Sequence, residues 1–231
     1  MSGDWRRIDC AASFPMAFAP HIFPVIIGQD LILLDTLGDR YVALPGSVDA
    51  AGDASSNRAA NPSLLQGALS SLRSAGLVDD DASPLKQSIA APTRQIRIDW
   101  NATPAVTLAD VIDLVVAMKW TASRLRRGLP CRRFTNVRTM SGAVDDVPPK
   151  LMAALDHLRD IRLVVPTPRR CLPAATIAAR FLQRRGIHVD IVFGVRSHPF
   201  EAHCWIEHDG VVLDDRLDKV LAYVPIAIGA L

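Results

Sequence analysis

Apolar positions along the chain change their spacing several times, and each change marks an element. Between Val25 and Leu44 they gather into two runs, Leu31, Leu33, Leu34 and then Tyr41-Val42-Ala43-Leu44, separated by Asp35-Thr36-Leu37-Gly38-Asp39. Such runs on either side of a glycine-containing turn predict a β-hairpin, closed by Pro45-Gly46. A small-residue stretch follows, then Asn61-Pro62 as a cap and a proline at the first helical position. Leu64, Leu65, Ala68, Leu69 and Leu72 recur at helical spacing until Gly76 offers a stop. Residues 1–80 therefore read as a small module of a β-hairpin and helices.

Residues 81–99 read as a linker, because Asp79-Asp80-Asp81, Pro84 and Pro92 come with few large apolar groups. The second module, 100–231, opens with a helix that Thr107 can cap. Its apolar stripe is Leu108, Val111, Ile112, Val115, Met118 and Leu125, and Arg124, Arg126 and Arg127 suit its last turn. Another helix is expected after Pro148-Pro149, with Leu151, Leu155 and Leu158 in register.

Composition narrows the class without naming a function. At 49% hydrophobic and 22% charged the chain is an ordinary globular protein, and a net charge of +2 does not point to nucleic acid or a membrane as partner. Cys10, Cys131, Cys171 and Cys204 are scattered with no CxxC pair, which fits free thiols in a reducing cytoplasm better than a zinc or disulfide framework. The stretch from Cys10 to Gln29 carries no charge, yet Asp4, Asp9, Pro15, Pro20 and Pro24 make it a poor secretory signal. An apolar arm that packs on the first module is the expectation.

The chemistry concentrates between Arg169 and Asp215. Pro173 suits a first helical turn and Gly186 a helix end, so Cys171 falls at a helix N-terminus, where the dipole and unpaired N–H groups favour a thiolate. A strand, His188 to Val195, and a second, His203 to Glu207, follow; the chain then turns at Asp209-Gly210 and returns through Val211 to Asp215. A three-residue loop, His208-Asp209-Gly210, places His203 opposite Asp215, whereas a two-residue loop puts Asp214 on the histidine's face. Asp215 is favoured. Cys171, His203 and Asp215 then form a nucleophile, a base and a group that orients it.

These residues carry a resemblance. Cys171-Leu172, Arg184-Arg185-Gly186-Ile187, Phe193-Gly194-Val195-Arg196, Pro199-Phe200, Ala202-His203-Cys204-Trp205-Ile206-Glu207, Asp209-Gly210 and Asp215 together resemble the transglutaminase-like cysteine peptidase of lasso peptide biosynthesis, its B protein. Leu34-Asp35-Thr36 and Gly38-Asp39-Arg40-Tyr41 are similar to the PqqD-like leader-recognition element that such proteins can carry in front. The resemblance implies an α+β chain: a winged-helix-like β-hairpin and three-helix module before a transglutaminase-like (papain-like) α+β domain. It implies that Cys171, His203 and Asp215 remove the leader from a ribosomally made lasso precursor peptide. An asparagine-synthetase-like cyclase would then close the macrolactam. The leader would add a strand to the edge Arg40, Tyr41, Val42 and Leu44, with Leu65, Leu69 and Leu72 of the following helix as apolar anchors. No cofactor is implied for the chain itself, and any ATP dependence would come through the cyclase.

Blander roles compete at each position. Trp205 shares a strand face with His203, as a wall of the site or as core. His198 and His208 read as loop histidines, Cys10 and Cys131 as packed or surface thiols, and Arg124 to Arg133 as a solvated face. Metal binding by Cys171, His203, Cys204 and His208 fits no common zinc spacing, since neighbouring strand residues point to opposite faces. A non-catalytic adaptor that delivers the precursor, and acyl transfer to an amine, remain as alternatives.

Overall fold

The computed structural model describes residues 12–13, 17–47, 72–79, 86–87, 89–96, 106–138 and 147–231. The chain divides into two compact units, Met1–Ala90 with Asn136–Thr139, and Ala91–Thr135 with Met140–Leu231. Most of the helix expected after Asn61-Pro62 lies outside the described residues, and only its end, 72–74, is seen as helix.

In the first unit, β1 (Ala12–Ser13) pairs antiparallel with β5 (Lys86–Gln87). The body is a three-stranded antiparallel sheet of β2 (Ile22–Ile27), β3 (Asp30–Asp35) and β4 (Arg40–Leu44), in that order. The expected hairpin is β3–β4. The stretch read as an apolar arm supplies a further strand, β2, because Gly28-Gln29 makes a two-residue turn with Gly28 at φ 62°, a conformation that favours glycine. Pro24 is tolerated because β2 lies at the edge of this sheet. The middle strand is buried along its whole length. Its Leu31 and Leu33 pack with Phe18, Ile22, Ile26, Leu72 and Leu77, and Val42 and Leu44 lie against that cluster. The turn between β3 and β4 is held by one carboxylate. Asp35 accepts the backbone N–H groups of Leu37 (3.1 Å) and Gly38 (2.7 Å) and pairs with Arg40 (3.1 Å). Residues 48–71 fall outside the described region, so the three-helix, winged-helix-like arrangement is not seen.

The second unit is built on a six-stranded sheet. Its strands are β6 (Arg94–Gln95), β7 (Arg133–Thr135), β8 (Asp190–Arg196), β9 (Glu201–His208), β10 (Val211–Val212) and β11 (Val224–Ala230), in the order β6-β10-β9-β8-β11-β7. β6 falls within the stretch read as a linker. It pairs parallel to β10, Arg94 against Val211, and so forms an edge of this sheet. The helices are α1 (Leu108–Leu125), α2 (Pro149–Val164), α3 (Cys171–Arg184) and the short α4 (Leu217–Val220).

α3 buries an alanine-rich face, Ala175, Ala178 and Ala179 with Ile177, Phe181 and Leu182, and lies against α1 and β9. The small side chains let the helix approach the sheet closely. The expected stop at Gly186 is present. Gly186 has φ 71°, its N–H bonds Gln183 O (3.0 Å), and Ile187 N–H bonds Leu182 O (3.1 Å), a paired closure of the last turn.

Asp110 ties this helical layer together. Thr107 caps α1 by a reciprocal pair of bonds with Asp110. The same buried carboxylate accepts from Arg185 at the end of α3 (2.6 Å) and meets His157 of α2 (3.1 Å). Its pKa is lowered: burial opposes the charge, but bonds from Thr107 and Arg185 and the nearby His157 outweigh it. Replacing Asp110 by Ala removes the nearer of the two carboxylates that pair with Arg185, the contact to His157 and the return bond of the α1 capping box, and should cost about 2 kcal/mol in urea unfolding. Asp113→Ala, which removes a more exposed partner of Arg184 and Arg185, should cost about 1 kcal/mol or less.

Candidate active site

The site is assembled from the start of α3, the middle of β9 and the bend after β10. Cys171 is the first residue of α3, and Arg170 before it provides no side-chain cap. In this first turn Pro173 has no N–H and Ala174 bonds Arg170 O (3.0 Å), so the N–H groups at issue are those of Cys171 and Leu172, beside a half-buried thiol. His203 lies on β9 with only 8% of its surface exposed. Its Nε2 meets Asp215 Oδ2 at 2.5 Å. The Cys171 thiol and the His203 imidazole lie near enough to act on each other, each favouring the other's charged form.

The electrostatics follow from these contacts. The Cys171 thiol is lowered to about 4 by hydrogen bonds from the Cys204 side chain and from His203, which outweigh its partial burial. Burial works against charge on His203, yet its bonds to Asp215 and Cys171 raise its pKa. Burial likewise opposes charge on Asp215, but His203, the Arg216 N–H (2.8 Å) and Lys219 (3.0 Å) bring it to about 2. Above the Cys171 value, and until the imidazole gives up its raised proton, the pair is thiolate and imidazolium, the reactive form of a cysteine nucleophile.

The turn that leads to Asp215 differs from the expected one. Val211 pairs with His208 and Val212 with Glu207, so the loop is the two residues Asp209-Gly210, with φ 48° and 78°. Continued as a strand, this register would bring Asp214 to the histidine's face. It does not continue. After the Leu213 N–H bonds Ile206 O (3.1 Å), the chain bends at 214–215 and enters α4. The bend swings Asp215 to His203, while Asp214 turns to Arg162 (2.6 Å). The register expectation was wrong, and the strand's early end makes Asp215 the partner all the same.

Two rings enclose the imidazole. Trp205 lies nearly parallel to it, with ring centroids 5.9 Å apart, and Tyr223 is tilted against it at 5.1 Å. The Trp205 indole N–H donates to Glu207, a carboxylate with no exposed surface. Gly194 sits opposite His203 on β8, and a Cβ there would lie 2.8 Å from the Trp205 ring and 3.0 Å from Tyr223. Of these, Glu207 follows from the strand alternation that groups Trp205 with His203, and a glycine inside an apolar strand signals close approach. Tyr223 and Lys219 arrive from beyond the bend with no local signal in the sequence.

The remaining candidates separate. Cys204 is buried, and Cys131 is buried against Gly229, its thiol pushed up to about 12 by burial. Cys10 lies outside the described residues, as do Leu65 and Leu69. Leu72 is 3% exposed and committed to the first unit's core, so it supports the β3–β4 sheet from behind. Arg40 is exposed on β4, and Tyr41, Val42 and Leu44 are half-buried along it. Among the described residues no group of three or more His, Cys, Asp or Glu side chains is arranged to hold a metal ion.

Alkylation of Cys171 by iodoacetamide should rise with pH through about 4 and then level off, since the thiolate forms as the proton leaves. In His203→Ala the midpoint should move upward, toward an ordinary thiol. An unmoved midpoint would show that the imidazole does not hold the thiolate.

Residues 114–227 match the family model described as "Transglutaminase-like superfamily", a span that contains Cys171, His203 and Asp215. No curated protein and no solved structure matches the chain. The C-terminal part of the chain is therefore similar to transglutaminase-like domains over residues 114–227.

Proposed function

With that similarity as premise, we propose that the chain is a cysteine peptidase that cuts the leader from a lasso precursor peptide. The observation that carries the reading is His203 bonded to Asp215, with a thiol at a helix N-terminus whose charge the imidazole favours. In this mechanism the Cys171 thiolate attacks the scissile carbonyl carbon. The first-turn N–H groups of α3 donate to the oxyanion that forms. The His203 imidazolium gives its proton to the leaving amine, and the C–N bond breaks to leave a thioester. Neutral His203 then takes a proton from water, whose oxygen attacks the thioester and releases the acid. Asp215 holds the imidazole in place through both steps. An amine in place of water would give acyl transfer from the same thioester, and product analysis separates the two outcomes.

Leader capture is assigned to the first unit. β4 is an edge strand among the described residues, with Arg40 exposed and Tyr41 half-buried along it. An extended leader would add to that edge by backbone hydrogen bonds. The freed core peptide would pass to an asparagine-synthetase-like cyclase, which supplies any need for ATP. No described helix is long and apolar enough to cross a membrane, and the reading places the chain in the cytoplasm with its precursor.

The test is cleavage of a synthetic precursor by the purified full chain with cyclase and ATP present. Cys171→Ala should abolish cleavage and leave leader binding intact. Asp215→Asn should slow cleavage by roughly 10²-fold or more, and Asp214→Asn should change it little. Tyr41→Ala should weaken leader binding by roughly tenfold without altering alkylation of Cys171. Undiminished cleavage by Cys171→Ala would reduce the chain to an adaptor. A gene neighbourhood without a short precursor and a cyclase would remove the lasso assignment while sparing the peptidase.

A further inference from the structure

His203 shares its face of the sheet with a group of charged and aromatic side chains. On β9, Glu201, His203 and Trp205 alternate to the same side, and Arg196 and Gly194 of β8 stand opposite Glu201 and His203. Tyr223, which leads into β11, brings its ring to 5.1 Å from the imidazole and to 5.6 Å from the Arg196 guanidinium. Two groups able to carry positive charge thus lie within the ~6 Å at which an aromatic ring attracts a cation. Glu201 joins the ring to its second neighbour. Its Oε2 accepts the Tyr223 hydroxyl (2.7 Å) and pairs with Arg196 Nη2 (2.6 Å). The mechanism above uses none of these three residues.

We propose that Tyr223 is a positioning residue that holds the protonated imidazole against its ring, and that Glu201 makes this possible by binding the Tyr223 hydroxyl and the Arg196 guanidinium together. The physical argument is one of charge. The negative face of a ring favours the imidazolium over the neutral imidazole. Arg196 alone, a cation beside the same ring, would oppose that charge, and the Glu201 carboxylate offsets it.

Other groups act on the imidazole from different elements. Burial opposes its charge; Asp215 in the bend and the Cys171 thiol of α3 favour it, and Lys219 of α4 opposes it. Farther along β9, Glu207 accepts the Trp205 indole N–H. An imidazole that keeps its proton to higher pH extends the range over which thiolate and imidazolium coexist. The inference rests on Cys171 and His203 as nucleophile and base. Its readout needs no peptide, so a failed cleavage assay and a failed titration are separate results.

The experiment follows the His203 ring nitrogens by NMR against pH in the full chain, grown with isotope-labelled histidine and assigned by the signal lost in His203→Ala. Glu201→Gln should lower the His203 midpoint by roughly half a pH unit, and Arg196→Gln should raise it by about as much. Loss of a merely structural clasp would move both the same way. Tyr223→Leu should lower the midpoint by about half a pH unit, and Tyr223→Phe, which keeps the ring, should lower it by less. Equal shifts in the two Tyr223 variants would overturn the proposal. So would shifts of one sign, or none, in the Glu201 and Arg196 variants. The Arg196 and Glu201 side chains are 39% and 49% exposed, so their variants carry the test even if Tyr223→Leu fails to fold.

Discussion

Everything chemical in this chain depends on one imidazole shared by a carboxylate and a thiol. His203 Nε2 meets Asp215 at 2.5 Å, and the ring and the Cys171 thiol each favour the other's charged form. Each partner fixes a different variable. The carboxylate sets the ring's orientation and favours its charge, and the charge holds the proton away from the sulfur. Three separate segments must agree in position for this to happen, so the fold can be viewed as the means of bringing them together.

α3 is the segment with the greatest demand on it. Its start must lie beside β9, and its far end is fixed through Arg185 to Asp110, which also closes the cap of α1 and meets His157 of α2. The tie acts on the C-terminal end of α3, whereas the thiol sits at the N-terminal end. A rigid helix of 14 residues carries the constraint from one end to the other. The alanines along its buried face set the distance to the sheet.

Much of this could be read from residue order. The helix from Cys171, its glycine stop, the His203 strand and the capped helix after Thr107 each have local signatures, and each forms where those signatures place it. The misread parts depend on partners distant in sequence. Ile22–Ile27 begins in the stretch read as an apolar arm and becomes a strand because β3 pairs with its whole length, with Pro24 tolerated at the sheet's edge. Arg94–Gln95 carries no strand signal of its own and pairs only because β10 offers an edge. The turn at Asp209-Gly210 shows how a right residue can follow from a wrong register. Periodicity predicts where a strand's side chains point, and it cannot say where the strand stops. Tyr223 and Lys219 reach the site only because the chain bends at 214–215.

Gly194 has a consequence for sequence variation. Its missing side chain is the space that the Trp205 ring occupies, and that ring lies against His203. Positions 194 and 205 therefore share a fixed volume, so a methyl group gained on one strand must be matched by a smaller ring or none on its neighbour. Drift at either position alone is penalised by crowding at the imidazole, and the two are bound to change as a pair.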